Sequence, residues 1–278
     1  MSAVDIPHAA PADYLAPPVP EPARFGLFSV ANIIDGEDLR YEAGVEWEQL
    51  PCDQGAVVSM ICPPEPDVRE GIPLVPRAGG DLVTVLPFVV AGSYLCSAFS
   101  RPLDEAENRA RQHLALAEER AAEYAIATGI GDNEPDFTGA VDLTPAGGAV
   151  SVGEGFGLLE GYLGANYGGV GTIHAPRAVS LAAADHGVSR YGTRMETPLG
   201  TLVAFGGGYD IANTNVNEVD LFVTSRPVVR RSEVFVTPDE DQRPDVANND
   251  VEIYAQRVYS IGWECVTAKV TVEIYPGA

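Results

Sequence analysis

The residue of this sequence best suited to catalysis is His174, in the run Ile-His-Ala-Pro-Arg. An imidazole can move a proton near neutral pH, but catalysis also needs a nucleophile, a metal or a paired acid. The motifs that supply one are absent from the sequence: H-E-x-x-H, G-x-S-x-G, S-x-x-K and the phosphate-binding G-x-x-x-x-G-K-[ST]. A single histidine beside a strand end is more often structural. We therefore predict a core role for His174 and no catalytic residue.

A metal or cofactor site is not indicated either. One loop contains three acidic residues that could hold calcium, Asp132, Glu134 and Asp136. Because they lack the EF-hand pattern, we favour the interpretation as a solvated acidic turn. The histidines are scattered and no cysteines have C-x-x-C spacing, so a zinc site would need long-range convergence. We expect no cofactor and four reduced thiols, at Cys52, Cys62, Cys96 and Cys265.

The charge of the chain limits its partners. Seventeen basic and forty acidic residues give a net charge of −23 over 278 residues, which argues against a protein that grips nucleic acid through a basic face. Arg230 and Arg231 form too small a basic spot to change this, and Lys269 is the only lysine. A protein that merely encloses nucleic acid remains compatible with this charge. No apolar run is long enough to predict a membrane span, and the N-terminus lacks the pattern of a signal peptide.

Extended segments dominate the first third of the chain. Residues 1–24 are rich in proline and predict an arm that needs a neighbouring surface to become ordered. From Tyr41 apolar and acidic residues alternate, which predicts a half-solvated strand. Further apolar runs cover 56–62 and 82–90, the second with a proline that indicates an edge or bend. We interpret these runs as a long two-stranded excursion that returns to the body near Tyr94.

The clearest helical signal covers residues 101–128, with Ser100 as a possible cap and Gly129 as a natural stop. A helix of this length spans about 40 Å at about 1.5 Å per residue, which suits a spine better than a compact enzyme domain. Small and apolar residues recur every three or four positions and form one stripe. The stripe comprises Leu103, Ala106, Ala110, Leu114, Ala117, Ala121 and Tyr124.

The remaining chain alternates between short helices and strands. We predict helices at 151–164 and 177–186, and strands at 169–176, 198–208 and 219–236. The tail, 248–274, has the strongest strand signal, and its apolar residues change parity near Cys265. That change predicts a bulge or bend between two strand halves. The predicted fold class is mixed α+β.

Three segments carry a resemblance to a known family: the acidic, arginine- and alanine-rich spine helix 101–128, the run GVGTIHAPRAV at 169–179, and the tail NNDVEIYAQRVYSIGWECVTAKVTVEI at 248–274. Preceded by an arm and a long β excursion, they resemble the major capsid protein of tailed bacteriophages. This is the Hong Kong 97-like fold, which encapsulin shells share. The similarity covers about residues 25–275.

The resemblance implies an N-terminal arm, an extended β loop, a spine helix, and peripheral and axial domains. The corresponding ranges are 1–40 for the arm, 41–92 for the loop, 93–150 with 248–278 for the peripheral domain, and 151–247 for the axial domain. It further implies hexamers and pentamers that close into an icosahedral shell around double-stranded DNA, in a virion assembled in the host cytoplasm. Scaffolding, portal and any decoration proteins would be separate partners, and no membrane is involved.

The same resemblance implies that subunits touch through the loop and the spine helix. The contact residues expected are Tyr41, Val45, Trp47, Arg69, Arg77, Arg109, Arg111 and Arg120. Some members of the family join neighbouring subunits through a lysine–asparagine isopeptide bond, with the lysine on the extended loop. Residues 41–92 contain no lysine, so we expect no such cross-link.

Three other functions stay open at this point. An encapsulin-like compartment would use the same fold around a cargo enzyme. An acidic hydrolase would use two carboxylates with shifted pKa values in a pocket, although forty acidic residues give no way to nominate the pair. A β-rich decoration or tail protein would leave the long helix and the excursion without a role. In a phage shell, the net charge predicts an acidic inner wall that repels packaged DNA and lets it slide during filling.

Overall fold

The computed structural model describes residues 19–36, 44–48, 52, 82–97, 103–130, 135–210, 215, 217–237 and 250–274. The helices within them are α1 (Leu27–Val30), α2 (Leu103–Thr128), α3 (Val152–Asn166) and α4 (Ser180–Asp185), with a 3-10 turn at Arg177–Val179. The strands are β1 (Asn32–Gly36), β2 (Val45–Glu48), β3 (Leu82–Val85), β4 (Phe88–Ser97), β5 (Val141–Asp142), β6 (Val150–Ser151), β7 (Gly171–Pro176), β8 (Ser189–Tyr191), β9 (Arg194–Glu196), β10 (Leu202–Gly206), β11 (Glu218–Ser225), β12 (Val228–Ser232), β13 (Phe235–Thr237), β14 (Asp250–Gly262) and β15 (Thr267–Glu273). This mixture confirms the predicted α+β class.

A five-stranded sheet carries the spine helix. In this sheet β14 pairs antiparallel with β4 along one edge and with β12 and β13 along the other, and β1 adds parallel to β12. The helix α2 lies across β4 and β14. Arg257 and Tyr259 of β14 both donate to Glu118 Oε2, at 3.0 and 2.7 Å. At Gly92 an added Cβ would overlap the backbone of Leu114, so glycine lets the strand and the helix approach closely.

The buried face of α2 follows the predicted stripe only in its middle. Ala106, Ala110 and Leu114 are buried, but the two ends of the predicted stripe, Leu103 and Tyr124, are about half exposed. Toward the C-terminus the buried face shifts to other residues, because there the helix passes from the five-stranded sheet to the rest of the core. These residues are Ala122, Glu123, Ala125, Ile126 and Ala127.

A second sheet has eight strands, in the order β5-β15-β11-β7-β10-β9-β8, with β6 also paired to β15. Every residue of β7 is buried. One face of the sheet packs in the hydrophobic cluster that contains α3 and α4, and the other face packs in the cluster that contains the C-terminal part of α2. α3 lies on β15 and β11, where an added Cβ at Gly155 would overlap Val272. The predicted helix 177–186 is a 3-10 turn followed by the short α4.

The tail connects the two sheets. β14 belongs to the five-stranded sheet and β15 to the eight-stranded sheet, and the turn between them contains Cys265 in the left-handed region, at φ 61°. This turn confirms the predicted bend. Strands pair across the predicted domain limits, since β12 and β13 come from 151–247 but pair with β14. The domain ranges therefore stay a prediction.

Phe137 joins the cores of the two sheets. Its ring stacks on Phe222 of β11 with centroids 4.4 Å apart, and it contacts Trp263, in the turn after β14, at 5.3 Å. Aromatic pairs of this kind add to the burial of apolar surface that holds a core together. The two sheets thus share one hydrophobic cluster, which positions the spine helix above both.

The described part of the predicted excursion is an antiparallel hairpin. β2 pairs with β3, so that Trp47 lies opposite Val83. The apolar run 82–90 divides into β3 and the start of β4 at Leu86 and Pro87, which confirms the predicted bend. The run 56–62 lies outside the described residues, as do most of residues 1–24.

Candidate functional site

Two of the predicted contact residues lie on the hairpin of β2 and β3. Val45 and Trp47 are half-buried, whereas Glu46 and Glu48 are exposed, which confirms the predicted alternation. On the paired strand Leu82 is 68% exposed. The hairpin therefore presents both apolar and acidic side chains on its surface, as an element that packs on a neighbouring molecule would.

The base of the hairpin is attached to the body at two points. Trp47 and Val85 pack on Gly262 at the end of β14, where an added Cβ would lie 2.5 Å from both side chains. Cys52 forms a disulfide bond with Cys265, and their Cα atoms are 5.5 Å apart. The expectation of four reduced thiols is therefore wrong for this pair. Sequence spacing could not reveal it, because 213 residues separate the two cysteines.

Three more predicted contact residues lie on the spine helix. Arg109 pairs with Glu105 at 3.5 Å, as the i,i+4 spacing suggests. Arg111 donates to the carbonyl oxygen of Val234 at 3.4 Å, and Arg120 is exposed. The structure thus divides the described members of the predicted set between the hairpin and the helix. The remaining members, which lie outside the described residues, are Tyr41, Arg69 and Arg77.

Arg120 lies beside a groove of about 520 Å³ along the outer side of α2. Leu116 and Tyr124 line the groove and are 46% and 45% exposed, and Asp210 lies at its edge. This surface combines apolar side chains with charges of both signs, which is the composition of many protein–protein contacts.

The inner side of the same helix carries two glutamates that sequence reasoning missed. Glu123 Oε1 accepts the backbone N–H of Leu27 at 3.0 Å, and its Oε2 accepts that of Gly208 at 3.0 Å. One turn earlier, Glu119 Oε1 accepts the N–H of Phe28 at 2.8 Å. We call Glu119 and Glu123 the carboxylate clamp. It joins the start of α1 and the loop after β10 to the spine helix.

Burial of the clamp changes its titration. Glu123 is 1% exposed, and loss of hydration raises its pKa to about 7 despite the hydrogen bonds that favour the charged form. Burial likewise raises the pKa of Glu119. It also raises the pKa of Tyr209 well above its usual value, and the negative charges of Glu123 and Glu119 raise it further. The clamp resembles the carboxylate pair that a hydrolase would need. However, Glu123 is almost completely buried and both of its oxygens accept backbone amides, so the carboxylate is not open to a substrate in this structure.

The clamp holds residues 24–26, at the end of the proline-rich segment predicted as an arm, and we call these residues the arm root. Phe25 has a left-handed backbone, at φ 67°, and its carbonyl oxygen accepts the N–H of Phe205 at 2.7 Å. Arg177 donates to the carbonyl oxygens of Arg24 and Phe205, at 3.0 and 3.2 Å. An added Cβ at Gly26 would overlap the carboxylates of the clamp. The path of the backbone through residues 24–26 is therefore fixed.

His174 is a core residue, as predicted. Its Nδ1 is 2.9 Å from Tyr209 Oη and its Nε2 is 2.9 Å from Thr224 Oγ1. Since the Thr224 hydroxyl donates to Ser225 O at 2.7 Å, its oxygen accepts from Nε2–H, and Nδ1 accepts from Tyr209. Complete burial lowers the pKa of His174 to about 3, so the ring is neutral at physiological pH.

The eight-stranded sheet ends in a second exposed apolar region. Leu181, Tyr191 and Leu199, on α4, β8 and the turn before β10, are 81%, 75% and 80% exposed. Next to Leu199 is a cavity of about 450 Å³ whose wall on α3 is formed largely by glycines. Exposed side chains of this size in one region are typical of surfaces that become covered in an assembly.

The acidic loop and the only lysine have structural roles. Asp136 Oδ1 accepts the N–H and hydroxyl of Thr138, at 2.8 and 2.7 Å, while Asp132 and Glu134 lie outside the described residues. Lys269 on β15 lies 3.3 Å from Asp220 and 3.7 Å from Asp142. In the part of the chain that the structure describes, no three metal-ligating side chains converge, and no helix has the length and apolar character to cross a membrane.

The sequence did carry a signal for the clamp. The run Gly206, Gly207 and Gly208 lacks the G-x-G-x-x-G spacing of a phosphate-binding loop, and the sequence alone therefore predicts a turn there. In the structure an added Cβ at Gly206 would overlap the carboxylate of Glu123, and one at Gly208 would overlap the backbone of Arg120. A glycine run together with two glutamates one turn apart in an alanine-rich helix indicates a close approach of loop and helix.

Comparison with solved structures shows the fold. The chain aligns with the capsid of a native GTA particle over 96% of both chains, with a TM-score of 0.57 and 13% identity. It aligns with the structure of Microbacterium phage Oxtober96 over 94% of this chain and 95% of that chain, with a TM-score of 0.55 and 10% identity. The chain has the Hong Kong 97-like capsid fold. No protein-family model and no curated protein matches the sequence.

The capsid fold is also that of compartment shells. The chain aligns with the holo-SrpI encapsulin complex from Synechococcus elongatus PCC 7942 over 94% of this chain and 93% of that chain, with a TM-score of 0.55 and 10% identity. The predicted resemblance is thus confirmed at the level of fold. The chain is about equally similar in structure to the phage capsids and to the encapsulin.

Proposed function

We propose that the chain is the subunit of a closed icosahedral shell, the major capsid protein of a tailed bacteriophage. The observation that carries the proposal is the extent of the capsid fold, which accounts for 96% of this chain and 96% of the capsid chain of the GTA particle. We assign the protein a structural role in the virion and no catalytic one.

The surfaces of the subunit support assembly. The hairpin of β2 and β3, the groove beside Arg120 and the region of Leu181, Tyr191 and Leu199 all expose large apolar side chains. A soluble monomer seldom exposes several such regions, whereas a shell subunit needs contacts on more than one side. We propose that these surfaces are covered in hexamers and pentamers, with Val45, Trp47, Arg109, Arg111 and Arg120 among the contact residues. Tyr41, Arg69 and Arg77 belong to the same proposal.

The shell we propose has no isopeptide cross-links. Residues 41–92 contain no lysine, and the only lysine, Lys269, is held between Asp220 and Asp142 on β15. Denaturing electrophoresis of mature particles, after boiling with reductant, should give a single band at the mass of the subunit. A ladder of resistant oligomers would refute this part of the proposal.

The enclosed material we propose is double-stranded DNA, held without sequence-specific contacts. The net charge of −23 favours an acidic inner wall along which DNA slides during filling. Separate scaffolding and portal proteins, and any decoration protein, would complete the particle, which would be assembled in the host cytoplasm. The arm at 1–40, the loop at 41–92, the peripheral domain at 93–150 with 248–278 and the axial domain at 151–247 remain the proposed division.

A second candidate is the shell of an encapsulin-like compartment. It is favoured by the alignment with the encapsulin complex, which has the same TM-score as the alignment with the phage structure. The contents of purified particles distinguish the two candidates. Double-stranded DNA together with portal and tail proteins supports the capsid, whereas one enclosed enzyme supports the compartment.

Electron microscopy of the purified chain tests the shared part of both candidates. We expect closed shells of regular diameter. A protein that stays a monomer or small oligomer over a range of concentrations and salt would contradict both.

A further inference from the structure

The disulfide between Cys52 and Cys265 lies where the described part of the hairpin meets the turn between the two sheets. Cys52 follows the end of β2 by four residues, and Cys265 lies between β14 and β15. Close by, Trp47 and Val85 pack on Gly262. The base of the hairpin is thus held by one covalent and one non-covalent attachment to the same short segment.

Hydrogen bonds hold the turn at Cys265 in addition to the disulfide. Its left-handed backbone, at φ 61°, is unusual for a residue other than glycine and persists only where surrounding contacts enforce it. Those contacts are present, since Val266 N donates to Glu264 O at 2.8 Å and the Ser225 hydroxyl donates to the same oxygen. A folded, reduced chain would therefore already hold the Cys265 thiol in place for Cys52.

We propose that Cys52 and Cys265 form a redox-controlled lock, open as two thiols in the reducing cytosol and closed after folding in an oxidising environment. The closing reaction is thiol–disulfide exchange with a low-molecular-weight disulfide. The two thiols lose two protons and two electrons and form one S–S bond, and the oxidant is reduced to two thiols. Since 213 residues separate the cysteines, the bond closes a very long loop and forms only once the tail has docked.

Closing the lock changes how firmly the hairpin is held. Among the described residues, the packing of Trp47 and Val85 on Gly262 remains in the reduced chain, and this non-covalent contact leaves the hairpin freer to adjust its direction. In the oxidised chain the base is tethered covalently. If the proposed function holds, the hairpin is adjustable while subunits assemble and fixed once the particle has left the cell. That consequence rests on the proposed function, whereas the lock itself does not.

The test uses the full-length chain produced in a reducing cytosol, quenched in acid and alkylated with N-ethylmaleimide. We expect four alkylated cysteines in the quenched sample. After incubation of the purified chain with glutathione disulfide, we expect two alkylated cysteines and a cross-linked peptide that joins Cys52 to Cys265. The oxidised form should melt about 5–15 °C above the reduced form.

Two variants serve as controls. The double variant Cys52→Ser/Cys265→Ser should melt at one temperature whether oxidised or reduced, and Cys62→Ser should keep the full response. A bond already present in the quenched cytosolic sample, a different pairing, or an equal response of the double variant would each overturn the proposal. Electron microscopy of the same samples keeps the two proposals separate, because a missing shell with an intact lock contradicts only the proposed function.

Discussion

Glu123 Oε1, near the C-terminal end of the spine helix, accepts the backbone N–H of Leu27 at 3.0 Å, across 96 residues of sequence. Through this bond and the bond from Phe28 N–H to Glu119, the spine helix holds the start of α1. A buried carboxylate is costly unless it is hydrogen-bonded, so these bonds hold the start of α1, the spine helix and the loop after β10 together.

The first prediction concerns the acceptors of Glu123. Glu123→Gln keeps the shape of the side chain but replaces one acceptor oxygen with a donor, so one of the N–H groups of Leu27 and Gly208 loses its partner. We expect the free energy of unfolding, measured with urea, to fall by about 1–3 kcal/mol. Glu107→Gln on the same helix should change it by less than about 0.5 kcal/mol. Equal losses in the free energy of unfolding for the two substitutions would show that the hydrogen bonds of Glu123 do not stabilise the fold.

The second prediction concerns the pH dependence due to Glu123. Its pKa is about 7 in the folded chain, against a usual value of 4.5, so the folded chain binds the proton more tightly. The stabilising effect of protonation is complete below about pH 4.5 and is lost as the pH rises through 7, by up to about 1.4 kcal/mol per pH unit. In Glu123→Gln this change should vanish from pH-dependent urea titrations. An unchanged slope between pH 5 and 7 would refute the prediction.

His174 has the opposite pH dependence. Its pKa is about 3 in the folded chain, against a usual value of 6.5, because charging the buried ring is unfavourable. Its contribution to stability is complete above about pH 6.5 and is lost as the pH falls toward 3. His174→Gln should be less stable at neutral pH but should resist further loss in acid. Acid unfolding followed by circular dichroism would show this as a shallower transition, and an unchanged acid slope would exclude His174 as the cause.

Two glycine substitutions should change the free energy of unfolding in opposite directions. Gly92→Ala places a methyl group against the backbone of Leu114 and forces β4 away from the spine helix, so we expect a loss of about 1–3 kcal/mol. Gly157→Ala on α3 meets nothing within 4 Å and should stabilise the subunit by about 0.5–1 kcal/mol through helix propensity. Thermal melts of the two variants give the comparison. A stable Gly92→Ala variant would show that strand and helix are not closely packed.

Arg120 provides a test of the helix as an assembly surface. Arg120→Glu reverses a charge beside the groove without altering the core, so the melting temperature of the subunit should stay within about 2 °C of the original. The yield of shells should fall about tenfold or more, because the substitution removes the positive charge that we propose pairs with an acidic side chain of a neighbouring subunit. Asn108→Asp adds a negative charge elsewhere on the helix and should assemble normally. Normal assembly of Arg120→Glu would remove Arg120 from the proposed contacts.

Local patterns in the sequence predicted the elements well. The spine helix, the strand at 169–176 and the split of the tail near Cys265 were each predicted within a few residues, because periodicity, caps and parity are properties of neighbouring residues. The sequence also predicted the core role of His174, because it contains no motif that would supply a nucleophile or a metal to act with this histidine.

Long-range relationships were not predictable in this way. The disulfide of Cys52 and Cys265 and the bond from Leu27 to Glu123 join positions far apart in the chain. The alternation of apolar residues along a strand identifies its buried face but not the strand beside it. It therefore did not show that β15 pairs with β11, or that β14 pairs with β4 in the other sheet. The proposed contact surfaces depend on partner subunits, and their apolar residues look the same in sequence as those of the core.

The most direct test of the central claim is electron microscopy of the purified full-length chain, with two-dimensional class averages of the particles. The account predicts closed shells of uniform diameter with five-fold and six-fold clusters of subunits. A preparation that folds, as judged by a cooperative thermal transition, but yields only monomers or small oligomers would contradict it.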